Sequence, residues 1–443
     1  MAIEINEFRL PISPREALEY IKFHTDNFGV FLDLDRIYEV IAIRRLEMHQ
    51  YHMLAVSMTK NVNTDLSNKS AVIRQLQEYG VPSVTFRDPH SKDLALNDGI
   101  ETSILNNVSL PKEAIAFTKI YQKWKNARNM ANKLTKMTDF DECYALSAEK
   151  HRMVVVHPSW SLLSTSRVQA SDPNVQQIDR SLSDILIAPK DYILWRADSA
   201  QIEPCINFST FLRDELIFNL IIAYGDAYFG LWRYCIMQPD EEEMLRADFG
   251  KYKHIEVTPE IKDQRQNIKR LTNAGSYGSG NLGGINPELA DAYTRRIVQH
   301  PARLALEQRV TADVRRGVDT FYGMFGTPVK PEETQKYRPG EPGWFEHVVR
   351  CGINNPVQTT ASELMMFSVN RAREVLNKYP MSHICFYKHD EACFYLHKND
   401  VEAGIMDELE GITAYNVKGW IPIKSDSLVG VKEPTFPTYL PVA

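Results

Sequence analysis

Two short apolar runs, about 190 residues apart, each bring acidic side chains to the end of a strand-like segment. The first, Tyr192-Ile193-Leu194-Trp195, leads into Asp198-Ser199-Ala200-Gln201-Ile202-Glu203. In the second, Ile384-Cys385-Phe386-Tyr387 enters His389-Asp390-Glu391 and Ala392-Cys393-Phe394-Tyr395-Leu396 leaves it. That second pattern reads as a β-hairpin with the acids at its tip. Carboxylates on neighbouring strands can share divalent cations, and shared cations suit phosphoryl transfer. Neither acid is specific alone. Asp198 precedes a helix-like segment, and taken in isolation a helix cap is the better reading of it, as an ordinary hairpin acid is of Asp390.

The rest of the chain is largely helical in pattern. A helix is expected from about Leu34 to Met58, a second over the pattern Val72-Ile73-x2-Leu76-x2-Tyr79, and a third over 112–137. Asn63-Thr64-Asp65-Leu66-Ser67 supplies capping residues before the second. The third carries Lys119, Lys123, Lys125, Arg128 and Lys133 around an apolar stripe, with Glu113 the only acid in the stretch. Met153 to His157 reads as a strand, 205–235 and 262–325 as helix-rich, Arg338 to Gly343 as a loop, and 358–377 as helix again. A helical segment near 399–411 and a strand near 421–424 and beyond follow. The fold class is α+β with a small, mainly antiparallel sheet.

With 443 residues, two or three subdomains are expected. No apolar run is long enough to span a bilayer, and the N-terminus lacks a signal-peptide profile. The six cysteines form no CxxC pair, which fits reduced thiols. The net charge of −6 excludes a uniformly basic surface but not a local basic groove.

Between the acidic motifs, Arg265, Lys269 and Tyr277 are spaced by four and eight, near one face of a helix. The two cations can reach one polyanion such as a triphosphate; a solvated basic face is the plainer alternative. Thr165-Ser166-Arg167 and Asp172-Pro173-Asn174-Val175-Gln176 form a polar loop able to contact a sugar-phosphate backbone, or an ordinary surface turn. Arg350, Asn354 and Gln358 pair an arginine with two amides, groups that hydrogen-bond base edges and sugars. The plainer reading there is a capped helix start at Pro356.

Taken together, these blocks resemble the polymerase portion of family A DNA polymerases, the group of bacterial polymerase I and its phage relatives. Asp198 to Glu203 looks like motif A, Arg265 to Gly278 like motif B, and His389-Asp390-Glu391 like motif C. Residues 157–178 resemble the template-primer block before motif A, and Arg350 to Ala361 the block before motif C. The resemblance spans about 29–430. It implies a right-hand polymerase with an N-terminal arm (1–28), a thumb (29–140), a first palm segment (141–205), fingers (206–375), and a second palm segment with a C-terminal tail (376–443).

The resemblance implies a DNA-templated DNA polymerase extending a primer with dNTPs. Asp198, Asp390 and the Ser199 carbonyl would hold two Mg2+ ions, with Mn2+ as a substitute, and Glu391 would support that site. Arg265 and Lys269 would clamp the triphosphate, Lys269 also acting in catalysis. Tyr228 stands where many members place a triphosphate-binding histidine. Glu203 would crowd the sugar 2′ position, and Tyr277 would close over the nascent pair. Arg167, Asn174, Gln176, Arg350, Asn354, Gln358 and His389 would contact primer or template, and the 112–137 helix would track duplex backbone.

The chain departs from the family at several points. Asn273 replaces the aromatic residue four before the motif B tyrosine, Ser199 the usual tyrosine, and Pro204-Cys205 the usual Leu-Arg. The implied enzyme lacks its own exonuclease domain, so a separate exonuclease or other replication subunit is a candidate partner, with the apolar stretch Thr435 to Pro441 as a docking segment or a self-packed tail. A cytoplasmic setting, bacterial or phage-infected, is implied. Two alternatives stay open: an RNA-synthesising right-hand polymerase, and a non-catalytic DNA-binding scaffold.

Overall fold

The computed structural model describes residues 1–61, 63–86, 95–107, 109–138, 152–178, 180–277, 285–332, 338–341, 343–388 and 390–430. The first half of the chain runs β1 (Ile3–Ile5), α1 (Pro14–Phe28), β2 (Val30–Asp33), α2 (Leu34–Thr59), α3 (Lys69–Glu78), α4 (Asp98–Asn106), α5 (Lys112–Lys136), β3 (Met153–Val156), β4 (Ser159–Leu162), β5 (Val168–Ser171) and β6 (Tyr192–Ser199). Then follow α6 (Ile202–Asn207), α7 (Glu215–Tyr224), α8 (Ala227–Ile236), α9 (Pro239–Ala247), α10 (Pro259–Tyr277), α11 (Pro287–Tyr293) and α12 (Pro301–Arg315). The chain continues with β7 (Phe321–Tyr322), β8 (Pro328–Val329), α13 (Trp344–Leu376), β9 (His383–Lys388), β10 (Glu391–His397), α14 (Lys398–Glu402), α15 (Ile405–Leu409), β11 (Tyr415–Val417) and β12 (Ser425–Val429). The expected α+β class holds. Among the described residues no helix is long and apolar enough to cross a membrane.

The chain divides into two compact units. One comprises 1–31, 157–278 and 284–443, and the other is built on 32–156.

The second unit is helical. In α5, positions 114, 117, 121, 124, 127, 131 and 134 are buried, a helical stripe that packs with α2, α3 and α4 around Leu66, Ile73, Leu76, Phe86 and Ile104. Asp33 caps α2 by accepting from the Arg36 amide, and Asn68, not the 63–67 run, caps α3. Of the expected cations on α5, Lys119, Lys123 and Lys133 are exposed. Lys125 instead folds back onto Asp98 at 2.7 Å and the buried Glu101 at 2.5 Å. A buried carboxylate needs a partner, so this cation holds α5 to α4 rather than facing outward.

The first unit is organised by a four-stranded sheet in the order β12-β6-β10-β9, all antiparallel. Six of the seven β10 residues are buried, as expected of a strand covered on both faces. Helix α1 packs against β9 and α13. Its start is a full capping box: Ser13 accepts from the Glu16 amide, and Glu16 accepts in return from that of Ser13, with Pro14 in the first turn. The N-terminal segment is thus an ordered helix plus β1, which pairs in parallel with β11.

Three sequence expectations change here. Helix α13 does not start at Pro356; it begins at Trp344, after Gly343 at φ 86°, and runs through the proline. Pro356 removes one helical hydrogen bond, but it is buried, and the Thr360 hydroxyl donates to its carbonyl at 2.7 Å. The polar stretch 165–176 is not one continuous loop, since it contains β5, which pairs with β4. The helix-rich stretch 262–325 ends in β7, which pairs with β8. The buried Glu363 of α13 accepts from the amides of Phe325 and Thr327 and so fastens the β7–β8 turn to the helix.

Candidate active site

Sheet register sets the site. Residue 391 lies opposite Asp198 across the β6–β10 ladder, and Asp390 is the turn residue immediately before it. The Ser199 amide donates to the Asp390 carbonyl at 2.8 Å, tying the end of β6 to the hairpin tip. Helix α6 begins at Ile202 with Gln201 in the cap position, so Asp198, still in the strand, is not its cap. Both aspartates line one cavity of about 710 Å³ with Arg167, Gln201, Glu203, Tyr228, Arg265, Gln266, Lys269, Asn273 and Asp426.

Burial, then the neighbouring Asp198 carboxylate, push Asp390 up to about 7. Two anions held this close in a partly buried pocket repel one another, and a cation between them relieves the repulsion. Among the described residues no group of three or more His, Cys, Asp or Glu side chains is disposed to hold a metal ion. Mg2+ characteristically takes one or two protein carboxylates and completes its shell with water and phosphate oxygens. An all-oxygen pair of aspartates therefore fits Mg2+ or Mn2+ and not a structural zinc site. The Ser199 hydroxyl points elsewhere, donating to the Thr413 carbonyl at 2.9 Å, so any cation contact from Ser199 has to come from its main chain.

Glu391 is committed to a different partner. Arg196 donates to both its oxygens, Nε at 2.7 Å and Nη2 at 3.0 Å, and both side chains are buried. It braces the two central strands immediately below the aspartates.

The opposite wall is α10. Ile268, Leu271 and Thr272 face the core, which turns Arg265, Gln266, Lys269 and Asn273 toward the cavity. Tyr228, almost fully buried on α8, lies beneath both cations: the Arg265 guanidinium is 5.2 Å and the Lys269 ammonium 5.9 Å from its ring centre. Burial pushes the Tyr228 hydroxyl well up, so it stays protonated. Gly230, two residues on, lets α8 approach α7 closely; a Cβ there would meet the Ile221 backbone at 2.8 Å.

Arg167 closes one side of the cavity. It follows the tight turn of the β4–β5 hairpin, whose Ser166 carbonyl accepts from Ser362 of α13 at 2.6 Å, and it forms an ion pair with Glu203. Asn354 and Val357 of α13 line a smaller recess beside Glu203, Asn273 and Arg303. Arg350, Asn354 and Gln358 follow one another at four-residue steps along that helix, within one face.

The structure gives Gln176 a different environment from the one its sequence block suggests. Its amide is buried: it accepts from the Ala170 amide and donates to the Val168 and Tyr387 carbonyls, stapling β5 to β9. A nucleic-acid contact would require breaking those bonds. Asn174, its neighbour, keeps a buried Oδ1 without a hydrogen-bond partner. His389 and the 435–441 tail lie outside the described residues, as does the Tyr277 side chain.

Sequence reading passed over Asp226 and Arg196 as site residues, and placed Gln201 only within motif A. The only local signal for Asp226 was its position after Gly225, at the start of a helical run.

The chain matches no family model. Among solved structures it is similar to the POL domain of Pol1 from M. smegmatis, solved in complex with DNA primer-template and dNTP. The match has a TM-score of 0.69 and 16% sequence identity, covering 96% of this chain and 70% of that one. At that identity the likeness establishes the fold: the chain has the fold of a polymerase domain.

Proposed function

We propose that this protein is a DNA-templated DNA polymerase that extends a primer 3′ end with deoxynucleoside triphosphates. The observation that carries the reading is a single cavity with two aspartates on one wall, Asp198 and Asp390, and two cations on the other, Arg265 and Lys269. Such a cavity binds a polyanion at one end and reactive oxygens at the other. The fold likeness supports it, since the similar domain was solved with primer-template and dNTP.

In this reading Asp198 and Asp390, with the Ser199 main chain, hold Mg2+. Bound there, Mg2+ lowers the pKa of the attacking hydroxyl and neutralises charge on the transferring phosphoryl group. Arg265 and Lys269 bind the triphosphate, and Tyr228 fixes the position of both by presenting its ring. The Arg196–Glu391 pair keeps the two acidic strand ends in register. Glu203, restrained by Arg167, lies where it can meet the sugar, and Asn273 stands beside it without the ring the family carries there. Tyr277 closes over the base pair. Arg167, Asn174, Arg350, Asn354, Gln358 and His389 contact the duplex, while Gln176 serves by holding its strand in place. The exposed Lys119, Lys123 and Lys133 of α5 supply a salt-sensitive backbone contact.

Primer extension on a DNA template with Mg2+ tests this. Extension with dNTPs is expected. Extension with rNTPs alone would transfer the reading to an RNA-synthesising enzyme, and DNA binding without any extension would make it a scaffold.

A further inference from the structure

The triphosphate arm is already holding an anion. Arg265 donates from Nε at 3.0 Å and from Nη2 at 2.6 Å to the same carboxylate oxygen of Asp226. The pair is partly buried, the side chains being 20% and 16% exposed. The same oxygen accepts from Gln201 Nε2 at 2.6 Å, and the other caps α8 by accepting from the Phe229 amide at 2.9 Å. Gln201 completes the circuit by accepting from the Ala227 amide at 2.7 Å. Gln201 has φ 57°, an uncommon conformation for a residue with a side chain, and both ends of its amide are anchored. One carboxylate therefore connects three elements: the turn leaving the catalytic strand β6, the start of α8, and the cation-bearing α10.

We propose that Asp226 is a positioning residue that acts as an internal stand-in for phosphate: it keeps Arg265 aimed along the cavity wall in the nucleotide-free protein and is displaced from the guanidinium by an incoming triphosphate. A guanidinium carries five N–H donors, and Asp226 occupies its side-on fork, Nε and Nη2. Phosphate oxygens reach that fork only by exchange with Asp226, so Asp226 lowers triphosphate affinity while preventing the arginine from wandering. Lys269, four residues on, has no such carboxylate partner among the described residues and meets the polyanion directly. The inference deepens the polymerase reading and rests on it for the identity of the triphosphate, not for the exchange itself.

The test uses inorganic tripolyphosphate and the full chain, by calorimetric titration at low ionic strength without metal. Asp226→Asn keeps the helix cap, since asparagine caps as well as aspartate, and removes the charge together with the acceptor that Arg265 and Gln201 share. Asp426→Asn, which neutralises another carboxylate lining the same cavity, controls for the general field. Asp226→Asn is expected to bind about fivefold more tightly than wild type, the factor appropriate to one partly exposed ion pair. Asp426→Asn is expected to change affinity less than about twofold, its charge being screened by solvent. Asp426→Asn should melt with wild type, and Asp226→Asn within about a few degrees below it, having lost the hydrogen bonds to Oδ2. Unchanged or weaker binding by Asp226→Asn overturns the proposal, as does an equal gain from Asp426→Asn. Primer extension by the wild type separates the two claims. If the wild type extends primers and Asp226→Asn gains nothing, only the exchange role falls; if Asp226→Asn gains while the wild type extends nothing, only the polymerase reading falls.

Discussion

Replacing Arg196 with methionine should be among the most damaging single changes in the sheet. Arg196 and Glu391 are 5% and 7% exposed and share two charge-assisted hydrogen bonds of 2.7 and 3.0 Å. Methionine fills most of the arginine's volume but leaves the Glu391 carboxylate buried without its counter-ion. Breaking such a pair from one side costs about 3–5 kcal/mol. Removing both charges has a different consequence. Arg196 Nη1 is buried with no hydrogen-bond partner, so the pair is incompletely satisfied even when intact. The double variant Arg196→Met/Glu391→Leu should therefore recover to within about 1 kcal/mol of wild type, or exceed it. Urea unfolding at neutral pH, followed by tryptophan fluorescence and far-UV circular dichroism together, measures all three proteins. A cost below about 1 kcal/mol for the single change would refute the buried-charge reasoning. A double variant as unstable as the single one would show that lost packing, not lost charge, is responsible.

Three further outcomes are expected. Burial holds the His24 and His383 imidazoles down at about 4, and each has a ring nitrogen without a hydrogen-bond partner. The unfolded chain takes up those protons near pH 6.5, so their contribution is complete above that pH and is lost as pH falls toward 4. The loss is on the order of 3 kcal/mol for His383, and a His383→Phe variant should show a flatter stability profile across that window in thermal melts. Gln176→Ala should cost about 2–3 kcal/mol, because it strands backbone groups of Ala170, Val168 and Tyr387; a melting temperature unchanged from wild type would contradict the stapling role. Lys269→Ala should raise the KM for dNTP about tenfold, with a smaller effect on kcat if the contact is already made in the ground state, as read by steady-state primer extension.

What was legible in the sequence followed from local physics. The apolar runs around Asp198 and Asp390 were long enough to mark strands, and α2, α5 and α10 carried clear helical periodicity. Their observed ranges, such as Leu34–Thr59 and Lys112–Lys136, differ from expectation by a residue or so. Where local rules misled, a distant partner had intervened. Pro356 reads as a helix start, yet burial of the surrounding turn carries α13 straight through it. Lys125 belongs to a basic run, yet Glu101, 24 residues away, captures it. Gln176 sits among polar residues that suggest a surface, yet Tyr387, 211 residues on, completes its hydrogen bonds. Asp226 carried no signal beyond a helix cap, because its significance depends on Arg265, 39 residues later. Cap, turn and period are properties of neighbours in sequence, and these contacts are not.

The central claim is that Asp198 and Asp390 together carry nucleotidyl transfer. The most direct measurement is single-turnover extension of a labelled primer on a DNA template with dNTP and Mg2+, comparing wild type with Asp198→Asn and Asp390→Asn. Asp390 is a carboxyl pushed up to about 7 by burial and by Asp198. Its charge therefore opposes folding at neutral pH, and Asp390→Asn should be at least as stable as wild type. Loss of activity in that variant cannot then be assigned to unfolding. The account predicts that either substitution slows extension by about a thousandfold or more, with primer-template affinity held within about threefold. Extension by either variant within about tenfold of the wild-type rate would contradict it.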